Sequence, residues 1–146
     1  MVCGDFKPCV TRSYTVKQGY LQSNPERTVR VRVKGNKGYL TIKGATSQSG
    51  LTRHEWEYEI PLADAEEMLR LCANNVIEKT RHLIPCGSLM FEVDEFGGEN
   101  QGLVVAEIEL PDESTPFDRP DWLGDEVTGN ARYYNSALSK NPYKRW

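Results

Sequence analysis

A strict alternation of apolar and charged residues recurs along this chain, and it limits the fold more than any other feature. In the segment Thr28 to Lys34, valine occupies every second position, while Arg30, Arg32 and Lys34 occupy the positions between. Since successive side chains of an extended strand point to opposite faces, the valines lie on one side and the cations on the other. The pattern predicts a β-strand with one buried face and one charged face.

The stretch Leu103 to Leu110 shows the same alternation with acidic residues. Glu107 and Glu109 are predicted to share one face of a strand, and Ile108 points to the other. Two neighbouring carboxylates alone are also typical of the wet edge of an ordinary amphipathic strand. They gain significance because other strands repeat the pattern with charges of both signs.

Seven segments have the periodicity of strands and two have the periodicity of helices. The predicted strands are Thr11–Leu21, Thr28–Lys34, Tyr39–Lys43, Arg53–Ile60, Val76–Leu83, Leu89–Phe96 and Leu103–Leu110. The predicted helices are Leu62–Cys72 and a tail segment, Thr128–Lys140, whose Tyr133, Tyr134, Ala137 and Leu138 pack inward. Short turn signals between successive strands favour antiparallel neighbours, and we predict an α+β fold with an antiparallel sheet.

Length and composition fit one domain that spans residues 1–146. The chain is 38% hydrophobic and 27% charged, as in soluble globular proteins, and has no apolar run of the ~20 residues that cross a bilayer. The first residues lack a secretory signal, so we expect a cytoplasmic protein without membrane contact. A net charge of −3 argues against a general nucleic-acid surface.

The cysteines and histidines do not predict a zinc site. Cys3, Cys9, Cys72 and Cys86 are scattered without a C-x-x-C pair, and the chain has only 2 histidines. We interpret the cysteines as free thiols, with Cys72 packed in a helix face.

The charged positions of the predicted strands form a basic set and an acidic set. The basic set is Arg30, Arg32, Lys34, Lys43, Arg53, Lys79 and Arg81, and the acidic set is Glu55, Glu57, Glu59, Glu92, Asp94, Glu107 and Glu109. Two structures would explain them. One is an antiparallel sheet whose charged face lies in water, and the other is a closed barrel with a charged lumen.

Two observations favour the lumen. The opposite faces are rich in large apolar residues that must themselves be buried, and two helices can cover only part of so wide a sheet. The charges are also sorted by strand, whereas solvated faces usually mix both signs. Arginine and lysine suit phosphate oxygens, and paired carboxylates suit a hard cation such as Mg²⁺ or Mn²⁺. Unlike charges that simply pair across a sheet would explain the same residues, and both explanations stay open.

An ordered series of motifs resembles the CYTH superfamily, the triphosphate tunnel metalloenzymes, and in particular its short bacterial members. The motifs are Gln18-Gly19-Tyr20-Leu21, Arg30-x-Arg32, Leu40-Thr41-Ile42-Lys43-Gly44, Arg53-x-Glu55-x-Glu57, Lys79-x-Arg81, Phe91-Glu92-Val93-Asp94-x-Phe96, Glu107-x-Glu109 and Pro120-x-Trp122-Leu123-Gly124. Each motif alone is weak, but their order along the chain is specific.

The resemblance implies an antiparallel tunnel of eight strands with peripheral helices and inward charges. It implies a substrate-binding set comprising Arg30, Arg32, Lys43, Arg53, Lys79 and Arg81. It implies metal ligands at Asp94, Glu107 and Glu109, further tunnel acids at Glu55, Glu57 and Glu92, and direct catalytic roles for Glu107, Glu109 and Arg81. The expected chemistry is metal-assisted phosphoryl transfer with Mg²⁺ or Mn²⁺.

One departure from the family pattern stands at the start. Members of the family begin with a Glu-x-Glu-x-Lys strand, and this sequence has no such motif. We therefore expect a tunnel that lacks its first strand, with two exposed strand edges. Because unpaired edges invite pairing between chains, we also expect a homodimer through that gap.

Three functions follow from the resemblance. The first is hydrolysis of inorganic triphosphate or a related organic triphosphate. The second is non-catalytic binding of polyphosphate or nucleotides, which the missing strand would favour. The third is an adenylate-cyclase-like reaction on ATP, for which we find no nucleobase pocket in the sequence.

Overall fold

The structure, a computed structural model, describes residues 1–48, 53–72 and 76–146. The strands are β1 (Arg12–Asn24), β2 (Arg27–Lys34), β3 (Lys37–Thr46), β4 (Arg53–Ile60), β5 (Ile77–Cys86), β6 (Leu89–Phe96) and β7 (Val104–Ile108). The helices are α1 (Leu62–Leu71) and α2 (Asn135–Lys140). Short 3₁₀ turns occupy Lys7–Cys9, Gly98–Asn100, Ala131–Tyr133 and Tyr143–Arg145.

The seven strands form one antiparallel sheet in the order β4-β3-β2-β1-β5-β6-β7. Within the described ranges β4 and β7 are its two edges, and the sheet is open between them. The α+β class with an antiparallel sheet and peripheral helices is confirmed. Among the described residues no helix has the length and apolar character needed to cross a membrane.

Element positions agree with the sequence prediction except at a few ends. Strand β1 continues to Asn24 because a bulge between Tyr20 and Gln22 lets its pairing with β2 continue. The predicted tail helix from Thr128 is shorter, since only Asn135–Lys140 is α-helical. Leu138 packs inward as predicted, but Tyr134 is 54% exposed, so its predicted packing is wrong.

The strand register places the two sets of charges on one face, which we call the charged face. Residues directly opposite each other in neighbouring antiparallel strands share a face. Arg30 lies opposite Thr41, which lies opposite Glu57, and Arg81 lies opposite Asp94. The charged residues that alternate with apolar residues in the sequence therefore lie together on one face of the sheet.

The reverse face carries two apolar clusters, and each of them is covered. Helix α1 packs Ala65 and Leu69 against Val31 of β2. At Gly38 the helix approaches so closely that an added Cβ would lie 2.6 Å from the Cβ of Ala65. Near the other end of the sheet, Phe6 and Trp122 cover the side chains of a cluster that comprises Ile84, Phe91 and Val93.

Helix α2 packs on the charged face instead of the reverse face. Its Leu138 is buried in a cluster with Ile77, Phe96 and Val105. The register places these three residues on the charged face, since Phe96, for example, lies opposite Lys79. At one end of the charged face this apolar cluster therefore excludes water, and the charged groups beside the cluster are buried.

Candidate functional site

A buried cluster of two cations and one carboxylate lies at the centre of the charged face. The Nζ of Lys79 donates to Oδ2 of Asp94 at 2.7 Å. Arg81 donates through Nε to Oδ1 at 2.7 Å and through Nη2 to Oδ2 at 2.8 Å. The side chains of Lys79 and Asp94 are 1% and 5% exposed. Both carboxylate oxygens of Asp94 are therefore bonded to cations. The sequence predicted both of these cations as phosphate ligands.

The pKa values in this cluster follow from burial and pairing. Burial alone would raise the pKa of Asp94, but the hydrogen bond from Arg81 and the charge of Lys79 hold it below its ordinary value. Burial lowers the pKa of Lys79, and the nearby charge of Asp94 opposes this shift. Asp94 is therefore a carboxylate at neutral pH, and it compensates the charge of its neighbours.

Glu92 extends this cluster towards solvent. Its Oε2 lies 2.7 Å from Nη1 of Arg81, and its side chain is 42% exposed. Glu92 lies directly opposite Glu107 of β7. Arg81 therefore holds one buried and one accessible carboxylate at the same time.

Gln18 is a buried polar residue beside Arg32 that the predicted site residues did not include. It is fully buried, and its Oε1 accepts hydrogen bonds from Nε and Nη2 of Arg32 at 3.0 and 2.9 Å. This amide fixes the guanidinium of Arg32 without neutralising it. The available signal was a polar residue between Val16 and Tyr20 on the same face of the first strand.

Arg32 is surrounded by other cations. Burial, followed by the charges of Arg30 and Arg81, lowers its pKa to about 10. It therefore remains charged at neutral pH, although its neighbours disfavour that charge. An anion that binds among these guanidinium groups would relieve the repulsion.

Two buried donors beside Arg32 lack a hydrogen-bond partner in the described structure. They are Nε2 of Gln18 and Nε of Arg30. The other end of the Arg30 guanidinium, Nη2, donates to Thr41 Oγ1 at 3.4 Å. Buried donors without partners are rare in folded proteins and call for a ligand or an ordered water.

Two further predicted phosphate-binding cations, Lys43 and Arg53, have different contacts. Lys43 is half-buried and its Nζ lies 4.0 Å from Glu55. Arg53 donates to the carbonyl of Pro25 at 2.8 Å and to Thr28 Oγ1 at 3.0 Å. The structure therefore gives Arg53 a role in holding the ends of β2 and β4 together.

The predicted metal ligands do not form a preassembled cluster. Glu107 and Glu109 are both exposed, whereas Asp94 is buried and bonded to cations. No three side chains of His, Cys, Asp or Glu within residues 1–48, 53–72 and 76–146 converge as a metal cage. The pair of carboxylates that the register brings together is Glu92 and Glu107.

A separate row of hydrogen-bonded side chains crosses the reverse face. Ser13 Oγ lies 2.7 Å from Nδ1 of His82, and Nε2 of His82 lies 3.1 Å from Oε2 of Glu95. Lys7 reaches the same carboxylate oxygen at 2.6 Å. The ring of Phe6 packs over that of His82 at 5.3 Å. We interpret this row of contacts as the attachment of the N-terminal segment to the sheet.

The charged face as a whole suits a polyanion. Arg30, Arg32, Lys79 and Arg81 are held by β-strands and by buried partners, so little conformational entropy is lost when they bind. Guanidinium groups can bind phosphate oxygens in a bidentate manner. Exposed carboxylates at the rim suit a divalent cation that bridges to phosphate.

Comparison with known proteins gives an independent assignment. A model of the CYTH domain matches residues 11–142. An inorganic triphosphatase from Acetivibrio thermocellus is 50% identical over 147 residues, which cover 100% of this chain and 93% of the relative. An inorganic triphosphatase from Nitrosomonas europaea is 35% identical over 129 residues, which cover 85% of this chain and 83% of the relative.

A solved structure supports the same assignment. The crystal structure of an inorganic triphosphatase aligns with a TM-score of 0.71 at 29% sequence identity, covering 88% of this chain and 83% of that chain. The fold and the ordered motifs therefore agree.

Proposed function

The chain belongs to the CYTH domain family, and from this premise we propose that it hydrolyses inorganic triphosphate to orthophosphate and pyrophosphate. Two relatives at 50% and 35% identity carry the name inorganic triphosphatase. A linear triphosphate also fits a site whose cations lie on β2 and β5, on either side of β1.

The observation that carries this proposal is the concentration of cations around Arg32. Its pKa is lowered by burial and by Arg30 and Arg81, and two donors beside it are buried without partners. A bound polyphosphate would neutralise the repulsion and supply acceptors to the free donors.

The reaction needs no covalent intermediate. The oxygen of water bonds to the terminal phosphorus, the bond from that phosphorus to the bridging oxygen breaks, and pyrophosphate leaves with the electron pair. A proton of the attacking water passes to a phosphate oxygen or to solvent. Arg30 and Arg32 hold the non-reacting phosphates, while Lys79 and Arg81 stabilise charge on the terminal group. The transition state of such reactions is loose, so positioning and charge account for most of the catalysis.

The residues present fit a divalent metal at the rim of the charged face. Glu92 and Glu107 are opposite each other and partly exposed, and Mg²⁺ is commonly bound by one or two carboxylates together with substrate phosphates. Glu109, two residues further along the chain, would be the third ligand. We assign Asp94 to Lys79 and Arg81, because its oxygens are already bonded to them. When bound, Mg²⁺ or Mn²⁺ would neutralise phosphate charge and orient the attacking water.

The test is a phosphate-release assay on tripolyphosphate with Mg²⁺ or Mn²⁺. We expect metal-dependent turnover by the wild-type chain, and a loss of at least about 100-fold in Glu107→Gln, by analogy with removal of one charge-stabilising group. Glu66→Gln, on the exposed side of α1, is the matched control and should keep its rate. Absence of turnover with both metals would refute the proposal.

A second candidate is a polyphosphate-binding protein without turnover. It is favoured by the lack of a three-residue metal cluster in the described residues. Calorimetric binding of tripolyphosphate without release of phosphate would support it over hydrolysis.

A further inference from the structure

Arg81 contacts two carboxylates that differ in their exposure to solvent. Its Nε and Nη2 bind Asp94 at 2.7 and 2.8 Å, and its Nη1 lies 2.7 Å from Glu92. All three guanidinium nitrogens are therefore engaged before any substrate arrives. These contacts use three of the five N–H donors of Arg81, and a phosphate that takes the Nη1 contact must replace Glu92 there.

The two carboxylates differ in how easily they can leave. The side chain of Asp94 is 5% exposed, and it is also bonded to buried Lys79. Its departure would remove the carboxylate that pairs with buried Lys79, which is strongly unfavourable. Glu92 is 42% exposed and can be rehydrated as it leaves. Exposed ion pairs contribute little to stability because water competes with them.

The position of Glu92 also defines where it can go. It lies directly opposite Glu107, and side chains at opposite positions of an antiparallel pair are about 5 Å apart at Cβ. Two carboxylates at that spacing repel each other unless a cation lies between them. The carboxylate of Glu92 lies 2.7 Å from Nη1 of Arg81, which offsets its charge.

We propose that Glu92 is a displaceable counter-ion that couples phosphate binding to metal binding. In the ligand-free protein it occupies Arg81. Triphosphate displaces it from Nη1, and the released carboxylate joins Glu107 to bind a divalent cation on the bound phosphates. Asp94 stays in place and keeps Arg81 and Lys79 oriented. The inference rests on the proposed function, since it requires that the charged face binds triphosphate.

Calorimetry without metal tests the first step. Tripolyphosphate is titrated in EDTA into the wild-type chain, Glu92→Gln and the control Glu78→Gln, which removes the same charge from the reverse face beside Lys17. Because the competing carboxylate is gone, Glu92→Gln should bind about threefold more tightly than wild type, the factor expected for loss of one exposed ion pair. Glu78→Gln should match wild type.

The same titration with Mg²⁺ tests the coupling. Mg²⁺ should tighten tripolyphosphate binding less in Glu92→Gln than in wild type, because one carboxylate ligand is missing. Equal or weaker metal-free binding by Glu92→Gln, with wild-type binding intact, would overturn the counter-ion role alone. Absence of any binding by the wild-type chain would instead refute the proposed function.

Discussion

Arg81 and Asp94 face each other across β5 and β6, and two guanidinium nitrogens of Arg81 lie 2.7 and 2.8 Å from the two carboxylate oxygens of Asp94. This bidentate pair, completed by Lys79, fixes the cations at the centre of the charged face. The carboxylate therefore orients the two cations of the proposed phosphate site.

The first prediction concerns Asp94→Asn. Removing the carboxylate charge leaves the charge of buried Lys79 uncompensated, so the free energy of unfolding should fall by about 3 kcal/mol. Denaturant unfolding measures the loss. Asp118→Asn, in an exposed loop, is the control and should change stability by less than about 0.5 kcal/mol. Equal stabilities of the two variants would mean that the buried cluster is not formed.

The second prediction concerns substrate binding. Arg32→Gln removes a guanidinium that Gln18 holds towards the other cations. A hydrogen bond to a charged group contributes about 1.5–3 kcal/mol, so kcat/KM for tripolyphosphate should fall roughly 10- to 100-fold. Steady-state kinetics measures the effect. Arg70→Gln, exposed on α1, should keep the wild-type value, and a similar loss there would indicate a general charge effect.

The third prediction concerns the pH dependence of stability. The hydrogen bond from Lys7, assisted by His82, lowers the pKa of Glu95 below its ordinary value of 4.5. A carboxyl with a lowered pKa in the folded state stabilises the protein above its unfolded pKa, and this contribution is lost as pH falls through the folded pKa. The stability advantage of wild type over Lys7→Gln should thus be full at pH 6 and decrease below about pH 4.5.

Urea unfolding at a series of pH values measures this advantage. Lys17→Gln, whose ammonium lies 3.8 Å from Glu78, is the matched control with a longer surface pair. A difference between wild type and Lys7→Gln that stays constant from pH 6 to pH 3 would contradict the assigned contact.

The fourth prediction concerns the packing of α1 against the sheet. In Gly38→Ala, the new Cβ would lie 2.6 Å from the Cβ of Ala65, so helix and strand must separate. Overpacking of this kind typically costs about 1–3 kcal/mol. Gly44→Ala is the control on the same strand, because its nearest neighbour would lie at 3.7 Å. Thermal unfolding should show a lower Tm for Gly38→Ala alone.

Much of the fold was predictable because the side-chain period of a strand is short and local. The alternation in Thr28–Lys34 and Leu89–Phe96 gave strands that end within a residue of β2 and β6. The extension of β1 to Asn24 was not predictable, because it depends on a bulge against a neighbouring strand.

The location of α2 was also beyond local patterns. Its apolar residues predict that it packs, but they do not say on which face of the sheet. Its burial with Phe96 and Ile77 depends on the order of the strands. That packing is what makes the neighbouring charges buried.

The sequence predicted which charged residues make up the candidate site, but it did not predict which of them pair with each other. Sorting of charge by strand identified Arg30, Arg32, Lys79 and Arg81. It could not distinguish Asp94 from Glu107, because both are carboxylates on the charged face. Their burial separates them, and burial depends on the neighbouring elements.

The most direct test of the account is ³¹P NMR of tripolyphosphate incubated with the wild-type chain and Mg²⁺ or Mn²⁺. The account predicts that the tripolyphosphate signals decrease while orthophosphate and pyrophosphate appear in equal amounts, and that Arg32→Gln slows both together. Tripolyphosphate that stays intact with either metal, at protein concentrations that bind it, would contradict the account.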